Sequence, residues 1–238
     1  MIPSTLDAWA SALEGRPAEE ILGEASLRFA PRIGLATGFG REGCVLVDLV
    51  ARHRLPVDLF TIDTGVLFPE TYALWEELES RYGVVIRPVE PPPDVLATCE
   101  RGWESDPDRC CELRKVIPLR AELSRLDAWV TAIRRDQTAD RRDARPVEWD
   151  GKFGLVKVNP LVRWTSADVD AHLLRHGVPV NPLHERGYPS IGCQPCTSPV
   201  EPGEDPRAGR WRGREKTECG LHTRPGWSSS TTTEASKE

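Results

Sequence analysis

From Ile33 onward, short apolar runs alternate with stretches whose apolar residues recur every three or four positions, which predicts strands alternating with helices. Ile33 to Ala36 reads as a buried strand, followed by strands over Val57 to Ile62, Val84 to Val89, Ala128 to Ile133 and Phe153 to Asn159. Between them, Cys44 to Val50 carries helical periodicity and Pro69 opens a helix to about Tyr82. A longer helix is expected from Cys110 through Leu113, Val116, Leu119 and Leu123, with a bend at Pro118. Thr165 to Asp168 caps another that runs to His176. Ahead of all these, Leu6 to Leu13 and Ala18 to Phe29 are amphipathic, so segment 1–30 is expected to pack helices against the core. The alternation implies an α/β fold, a mostly parallel sheet flanked by helices, with ligands bound beyond the carboxyl ends of the strands. Glu90 to Pro93 reads as a linker, and the chain is turn-rich from Val178. Segment 31–200 is expected to form the nucleotide-binding α/β domain, 201–222 an irregular arm, and 223–238, with its Ser/Thr run, a disordered tail.

Composition narrows the function more than the fold. The 238 residues carry a net charge of −6, so nothing global favours nucleic acid or an anionic membrane surface, and any bound anion must be held by local cations. No apolar run approaches the roughly 18 residues needed to span a bilayer. Met1 to Glu14 lacks the basic-then-apolar layout of a signal peptide, so a cytoplasmic protein is expected. Paired cysteines in that compartment read as metal ligands or redox catalysts rather than structural disulfides.

Three stretches carry candidate chemistry. Thr37-Gly38-Phe39-Gly40-Arg41-Glu42-Gly43 joins the first strand to a helix, a turn whose bare amides can approach an anion. It lacks the Gly-Lys-Ser/Thr ending of a Walker loop. Arg134 and Arg135 follow the fourth strand, where guanidinium groups suit a phosphate. Arg141 and Arg142 read instead as a solvated loop. Three of the seven cysteines fall between Gly192 and His222, two of them as Cys193-Gln194-Pro195-Cys196. With the tandem Cys110-Cys111 they make four candidate metal ligands, and Cys219 is left over as a separate reactive thiol. Cys44 and Cys99 read as ordinary cysteines.

Taken together, these motifs resemble the assimilatory adenylyl-sulfate reductases, relatives of the phosphoadenylyl-sulfate reductases with an adenine-nucleotide α-hydrolase-like fold. The resemblance rests on the glycine turn, Thr61-Ile62-Asp63-Thr64-Gly65, Cys110-Cys111-Glu112-Leu113-Arg114-Lys115 and Ile133-Arg134-Arg135-Asp136-Gln137. It continues through Val158-Asn159-Pro160-Leu161, Gly187 to Cys196, Arg207-Ala208-Gly209-Arg210-Trp211 and Lys216-Thr217-Glu218-Cys219-Gly220-Leu221-His222. It implies a [4Fe-4S] cluster on Cys110, Cys111, Cys193 and Cys196, and a nucleophile at Cys219. Adjacent cysteines point the same way: their α-carbons are about 3.8 Å apart, so both reaching one zinc ion would strain a helix, whereas different irons of a cluster can take one each. Structural zinc is the alternative for this quartet.

The implied reaction is thioredoxin-dependent reduction of adenosine 5′-phosphosulfate to sulfite and AMP through an S-sulfocysteine, with reduced thioredoxin as protein partner. Lys115, Arg207 and Arg210 are assigned to the substrate, Arg134 and Arg135 less directly. Thr37, Gly38 and Gly40 would line the phosphate turn, and Thr64 and Gly65 the nucleotide pocket. The arm around Trp211 is expected to move, carrying Cys219 between nucleotide and thioredoxin. Gly38 stands where many relatives carry serine, and Val66 where they often carry arginine. Reduction of phosphoadenylyl-sulfate is the nearest rival function; a zinc-stabilised tRNA sulfur-transfer protein is a more remote one. The sequence leaves the oligomeric state open, a homo-oligomer included.

Overall fold

The computed structural model describes residues 3–216 and 219–221. The expected disordered tail, 223–238, lies outside them. Two helices, α1 (Pro3–Leu13) and α2 (Ala18–Phe29), precede strand β1 (Ile33–Ala36). Then come α3 (Arg41–Arg52), β2 (Asp58–Ile62), α4 (Pro69–Tyr82) and β3 (Ile86–Val89). Three short helices follow, α5 (Pro93–Thr98), α6 (Gly102–Ser105) and α7 (Pro107–Cys111), then a π-helical turn over Glu112–Val116 and α8 (Ile117–Leu123). Strands β4 (Ala128–Val130), β5 (Val147–Asp150) and β6 (Leu155–Val158) precede α9 (Ser166–His176).

The sheet has the order β3-β2-β1-β4-β6-β5, parallel throughout except for β5, which runs antiparallel along β6 at the edge. The mostly parallel sheet flanked by helices agrees with the sequence. Both faces of its centre are covered, which is why β1 and β4 read as unbroken apolar runs and β6 is buried along its whole length, its single lysine included. From β1 the chain builds outward through β2 and β3, then returns to place β4 on the other side of β1. That reversal opens a crevice beyond the carboxyl ends of β1 and β4.

Local signals set most boundaries. Pro69 occupies the first turn of α4, and α9 starts in a full capping box between Thr165 and Asp168. The amphipathic α1 and α2 bury Leu6, Trp9, Leu13, Ile21 and Leu22 in the main core with Val45, Leu46 and Ile33. Each such side chain contributes about 1.5–3 kcal/mol of transfer free energy.

Two expectations change. The stretch from Cys110 to Leu123 is not one bent α-helix: α7 passes into the π-helical turn before Pro118. Proline has no N–H to donate and its ring would strike the carbonyl four residues back, so the chain widens by one residue there. The edge strand β5 is not expected from the sequence, because only four residues form it and one face stays wet, with Trp149 exposed.

Asp48, 1% exposed within α3, is the principal buried charge of the helical layer. The Tyr82 hydroxyl donates to it at 2.9 Å and His172 Nε2 lies at 2.8 Å, joining α3, α4 and α9. Burial pushes its pKa up, but the His172 and Tyr82 bonds outweigh that and hold it below the usual carboxylate value. A depressed pKa means stability that is present at neutral pH and lost as pH falls through the folded-state value. Asp48→Asn is therefore expected to cost about 2 kcal/mol in urea unfolding at pH 7. The difference from wild type should shrink in acid; a gap unchanged at about pH 3 would contradict this assignment.

Candidate active site

Two hollows adjoin at the carboxyl end of the sheet, and Lys115 belongs to the wall of both. The larger is a cavity of about 290 Å³ in the crevice between β1 and β4, where Ala36 and Thr37 face Thr131 and Ala132. Its floor is the turn into α3. There the Phe39 N–H donates to Thr37 Oγ1 at 3.1 Å, and the Thr37 N–H donates to the Phe60 carbonyl at 2.9 Å. Phe39 has φ +58° and is buried, stacked on Trp75 at 5.6 Å, so an apolar anchor under the turn holds its backbone in place. Gly43, in the first turn of α3, permits the close approach: a Cβ there would stand 2.8 Å from Thr37 Oγ1.

The smaller hollow is walled by Cys110, Cys111, Cys193 and Cys196 together with Trp103, Arg114, Pro195 and Trp211. α7 delivers the first two thiols. Of the other two, Cys193 precedes the short 3₁₀ turn Gln194–Cys196 and Cys196 ends it. This turn is tied to the loop after β2 by a bridge between Leu67 and Cys193 and by the Gln194 N–H donating to the Val66 carbonyl at 2.8 Å. The arm fastens the far side, where the Trp211 N–H donates to the Cys196 carbonyl at 3.0 Å. A Cβ on Gly209 would meet the Ser198 carbonyl at 2.1 Å, so only glycine lets the strand segments close.

The electrostatics of the two hollows are joined. Lys115 hydrogen-bonds Cys193, and Thr64 Oγ1 lies 3.3 Å from the same sulfur. Burial would raise the Cys193 pKa, yet Lys115, Thr64 and Arg210 bring it below the ordinary thiol value. Reciprocally, burial would lower Lys115, but the sulfurs of Cys193 and Cys219 raise it. Burial pushes Cys111 up to about 11 and Cys110 up to about 12, the latter helped by Cys99.

Thr37, Gly38, Gly40, Thr64, Lys115, Arg210 and Cys219 all line the larger cavity, as the sequence suggested. Four suggested residues do not. Arg134 is buried in ion pairs with Glu42 and Asp136, and Arg135 holds Glu14 at 2.8 Å on the surface, so both guanidiniums are spent on internal carboxylates. Arg207 stands near Arg210 but off the wall, and Gly65 faces Arg114 instead. Conversely, Arg141 lines the cavity beside Gln137, to which it is hydrogen-bonded, rather than lying in a solvated loop. Glu42, Gly43, Gln137 and Leu221 also line the cavity without having been singled out as ligands. The motif from Lys216 to His222 is only partly visible: Thr217, Glu218 and His222 lie outside the described residues.

Trp211 is buried, with Arg210 and Lys216 over its ring at 4.6 and 5.4 Å. Lys216 forms an ion pair with Asp108 of α7. Cys219 is half-buried; beyond it Lys152 donates to the Gly220 carbonyl and Leu221 packs against Phe60, Leu119 and Trp129. Arg210, Cys219 and Leu221 thus bring the described part of the arm to the cavity wall.

Position 38 is open, since a Cβ there meets nothing within 4 Å, whereas position 43 is closed. Gly43→Ala should displace Thr37 and weaken binding of inorganic phosphate, a probe for the turn, by about tenfold, near 1.4 kcal/mol. Gly38→Ser should leave it intact or tighten it. Calorimetric titration of both variants checks the pair; equal losses would contradict the geometry.

The sequence model of the phosphoadenosine phosphosulfate reductase domain matches residues 32–199. An adenosine 5′-phosphosulfate reductase of Salinibacter ruber is 43% identical over 210 residues, 86% of this chain and 83% of that protein. A phosphoadenosine 5′-phosphosulfate reductase of Gloeobacter violaceus is 41% identical, covering 92% of this chain and 94% of its own. Among solved structures, the phosphoadenylyl-sulfate reductase of Candida auris in its phosphate complex superposes with a TM-score of 0.74 at 30% identity, spanning 84% of this chain and 98% of that one. A switch-point cavity floored by a glycine turn, four thiols beside it and matches of this extent lead to one conclusion: the chain belongs to the phosphoadenosine phosphosulfate reductase domain family.

Proposed function

We propose that this protein reduces adenosine 5′-phosphosulfate to sulfite and AMP, using Cys219 as nucleophile and reduced thioredoxin as electron donor. The observation that carries the reading is Lys115, a cation shared between the nucleotide-sized cavity and the four-thiol hollow. The glycine turn supplies amides for the phosphate, and Lys115 and Arg210 stand near Cys219, where a sulfate group would lie. The Cys219 thiolate attacks the sulfate sulfur; an S–S bond forms, the S–O bond to the phosphate breaks, and AMP leaves with the electron pair. A thioredoxin thiolate then attacks the Cys219 sulfur and releases sulfite, and the second thioredoxin thiol resolves the mixed disulfide.

The four-thiol hollow suits a [4Fe-4S] cluster better than one zinc ion. Trp211 Nε1 and Arg114 Nε are buried there without a partner, two donors in want of an acceptor such as a cluster sulfide. Cys110, Cys111, Cys193 and Cys196 would hold the cluster, which when bound supplies local charge and positioning beside Lys115. The motion needed to present Cys219 to thioredoxin is confined to the chain after Trp211, because Trp211 itself is packed. Reduced thioredoxin and free thiols are maintained in the cytoplasm, where this reading places the protein.

The relative from Gloeobacter violaceus carries the other substrate in its name, so phosphoadenylyl-sulfate is the second reading. Comparing kcat/KM on the two nucleotides separates them; at least tenfold preference for adenosine 5′-phosphosulfate is expected, or about 1.4 kcal/mol. Without reductant, one equivalent of substrate should add about 80 Da to Cys219 by mass spectrometry, the mass of a sulfo group. Cys219→Ser should show neither the adduct nor sulfite release while still binding AMP. Normal sulfite release by this variant would refute the nucleophile. Purified protein should also contain iron and acid-labile sulfide, and full activity without either would refute the cluster.

A further inference from the structure

The hairpin between β5 and β6 reaches the arm through Lys152, a side chain that lines neither hollow. Its N–H and that of Phe153 donate to Asp150 Oδ1 at 3.0 and 3.3 Å, and the Gly154 N–H donates to the Asp150 carbonyl at 2.7 Å. These bonds fix the backbone from which the lysine stem extends. The Lys152 Nζ stands over the Phe153 ring at 5.3 Å and donates to the Gly220 carbonyl. Gly220 has φ +85°, a conformation that favours glycine, and its two chain neighbours, Cys219 and Leu221, both line the larger cavity. Leu221 and Phe153 pack against the same cluster of Phe60, Leu119 and Trp129. Lys152 is half-buried: burial lowers its pKa, Asp150 and the Cys219 sulfur oppose that fall, and Arg120 adds to it. The nucleophile's sulfur is thus within electrostatic reach of the ammonium that holds the next residue.

We propose that Lys152 is a positioning residue for the reaction: by donating to the Gly220 carbonyl it docks the arm with Cys219 at the cavity, and its release frees the arm for thioredoxin. The inference rests on the function proposed above and adds the residue that sets where the thiol stands. The grip is on a backbone carbonyl one residue past the nucleophile, so Lys152 constrains the thiol without meeting substrate or taking part in bond making. Lys115 and Arg210 belong to the cavity wall and face substrate charge, whereas Lys152 stands outside that wall and substrate does not compete for it. Leu221 supplies apolar contact, which has no preferred direction. The hydrogen bond supplies the direction. A charge-assisted bond on a partly solvated lysine favours the docked arm yet remains exchangeable, as a thiol with two partners needs.

The test follows Cys219 in the full-length protein. Without substrate, the rate at which iodoacetamide alkylates Cys219, followed by peptide mass spectrometry, reports how often the thiol leaves the cavity. Lys152→Met keeps the stem and loses the donor; it should raise that rate about tenfold. At saturating adenosine 5′-phosphosulfate and without reductant, the same variant should form the Cys219 adduct of about 80 Da roughly tenfold more slowly. AMP affinity by calorimetry should stay within about twofold of wild type, because the cavity wall is untouched. Lys152→Arg restores a donor and should recover most of both rates, which a packing role for the stem would not predict. Equal alkylation and adduct rates in Lys152→Met and wild type would overturn the proposal, as would equal losses in the Met and Arg variants or a loss of AMP affinity that matches the loss of adduct rate. Should the wild type form no adduct at all, the function proposed above fails, and the alkylation rates of the three proteins still decide the docking.

Discussion

The attraction between the Lys115 ammonium and the sulfurs around it organises one end of this molecule. Lys115 hydrogen-bonds Cys193 and is raised by the sulfurs of Cys193 and Cys219, while Cys193 is lowered in return. A half-buried cation without these partners would give up its proton or draw in water. With them it can stay charged between an anion-sized cavity and a cluster of thiols. Every nearby segment is arranged so that this charge and these sulfurs meet.

Three devices bring them together. The reversal of strand order between β1 and β4 creates the crevice and costs no special residues. The π-helical turn forced ahead of Pro118 re-aims the helix so that Cys110, Cys111 and Lys115 share the wall of one hollow. The backbone ties from Val66 to Gln194 and from Cys196 to Trp211 then clamp the second thiol pair against the first. None of these is worth much alone, since a hydrogen bond contributes about 1 kcal/mol net. Their value lies in fixing where charge and sulfur sit.

The same packing explains the division between anchored and displaceable parts of the arm. Gly209 and Trp211 are locked by close backbone contact and burial. After Trp211 the described contacts are mostly exposed: Arg212 on Glu204 and the Pro199 carbonyl, Arg214 on the Glu104 carbonyl, an ion pair of Lys216, a lysine bond to the Gly220 carbonyl and one leucine against an apolar patch. Contacts of that kind are individually weak and can be exchanged, as a thiol that serves two partners requires.

The sequence by itself determined the alternation of strands and helices, the glycine turn, the helix starts at Pro69 and Thr165 and the identity of the cysteines, because each is written in local periodicity or local backbone chemistry. It could also place Lys115 near Cys111, since a helical turn links them. The tertiary structure alone decided which charges were free to act. Arg134 and Arg135 look like anion ligands until Glu42 and Glu14, distant in the chain, are seen to occupy them. Arg141 looks solvated until its loop folds over the cavity. A side chain's type is local information, but its partners are set by long-range packing, and the partners determine whether a charge or a thiol is available for chemistry.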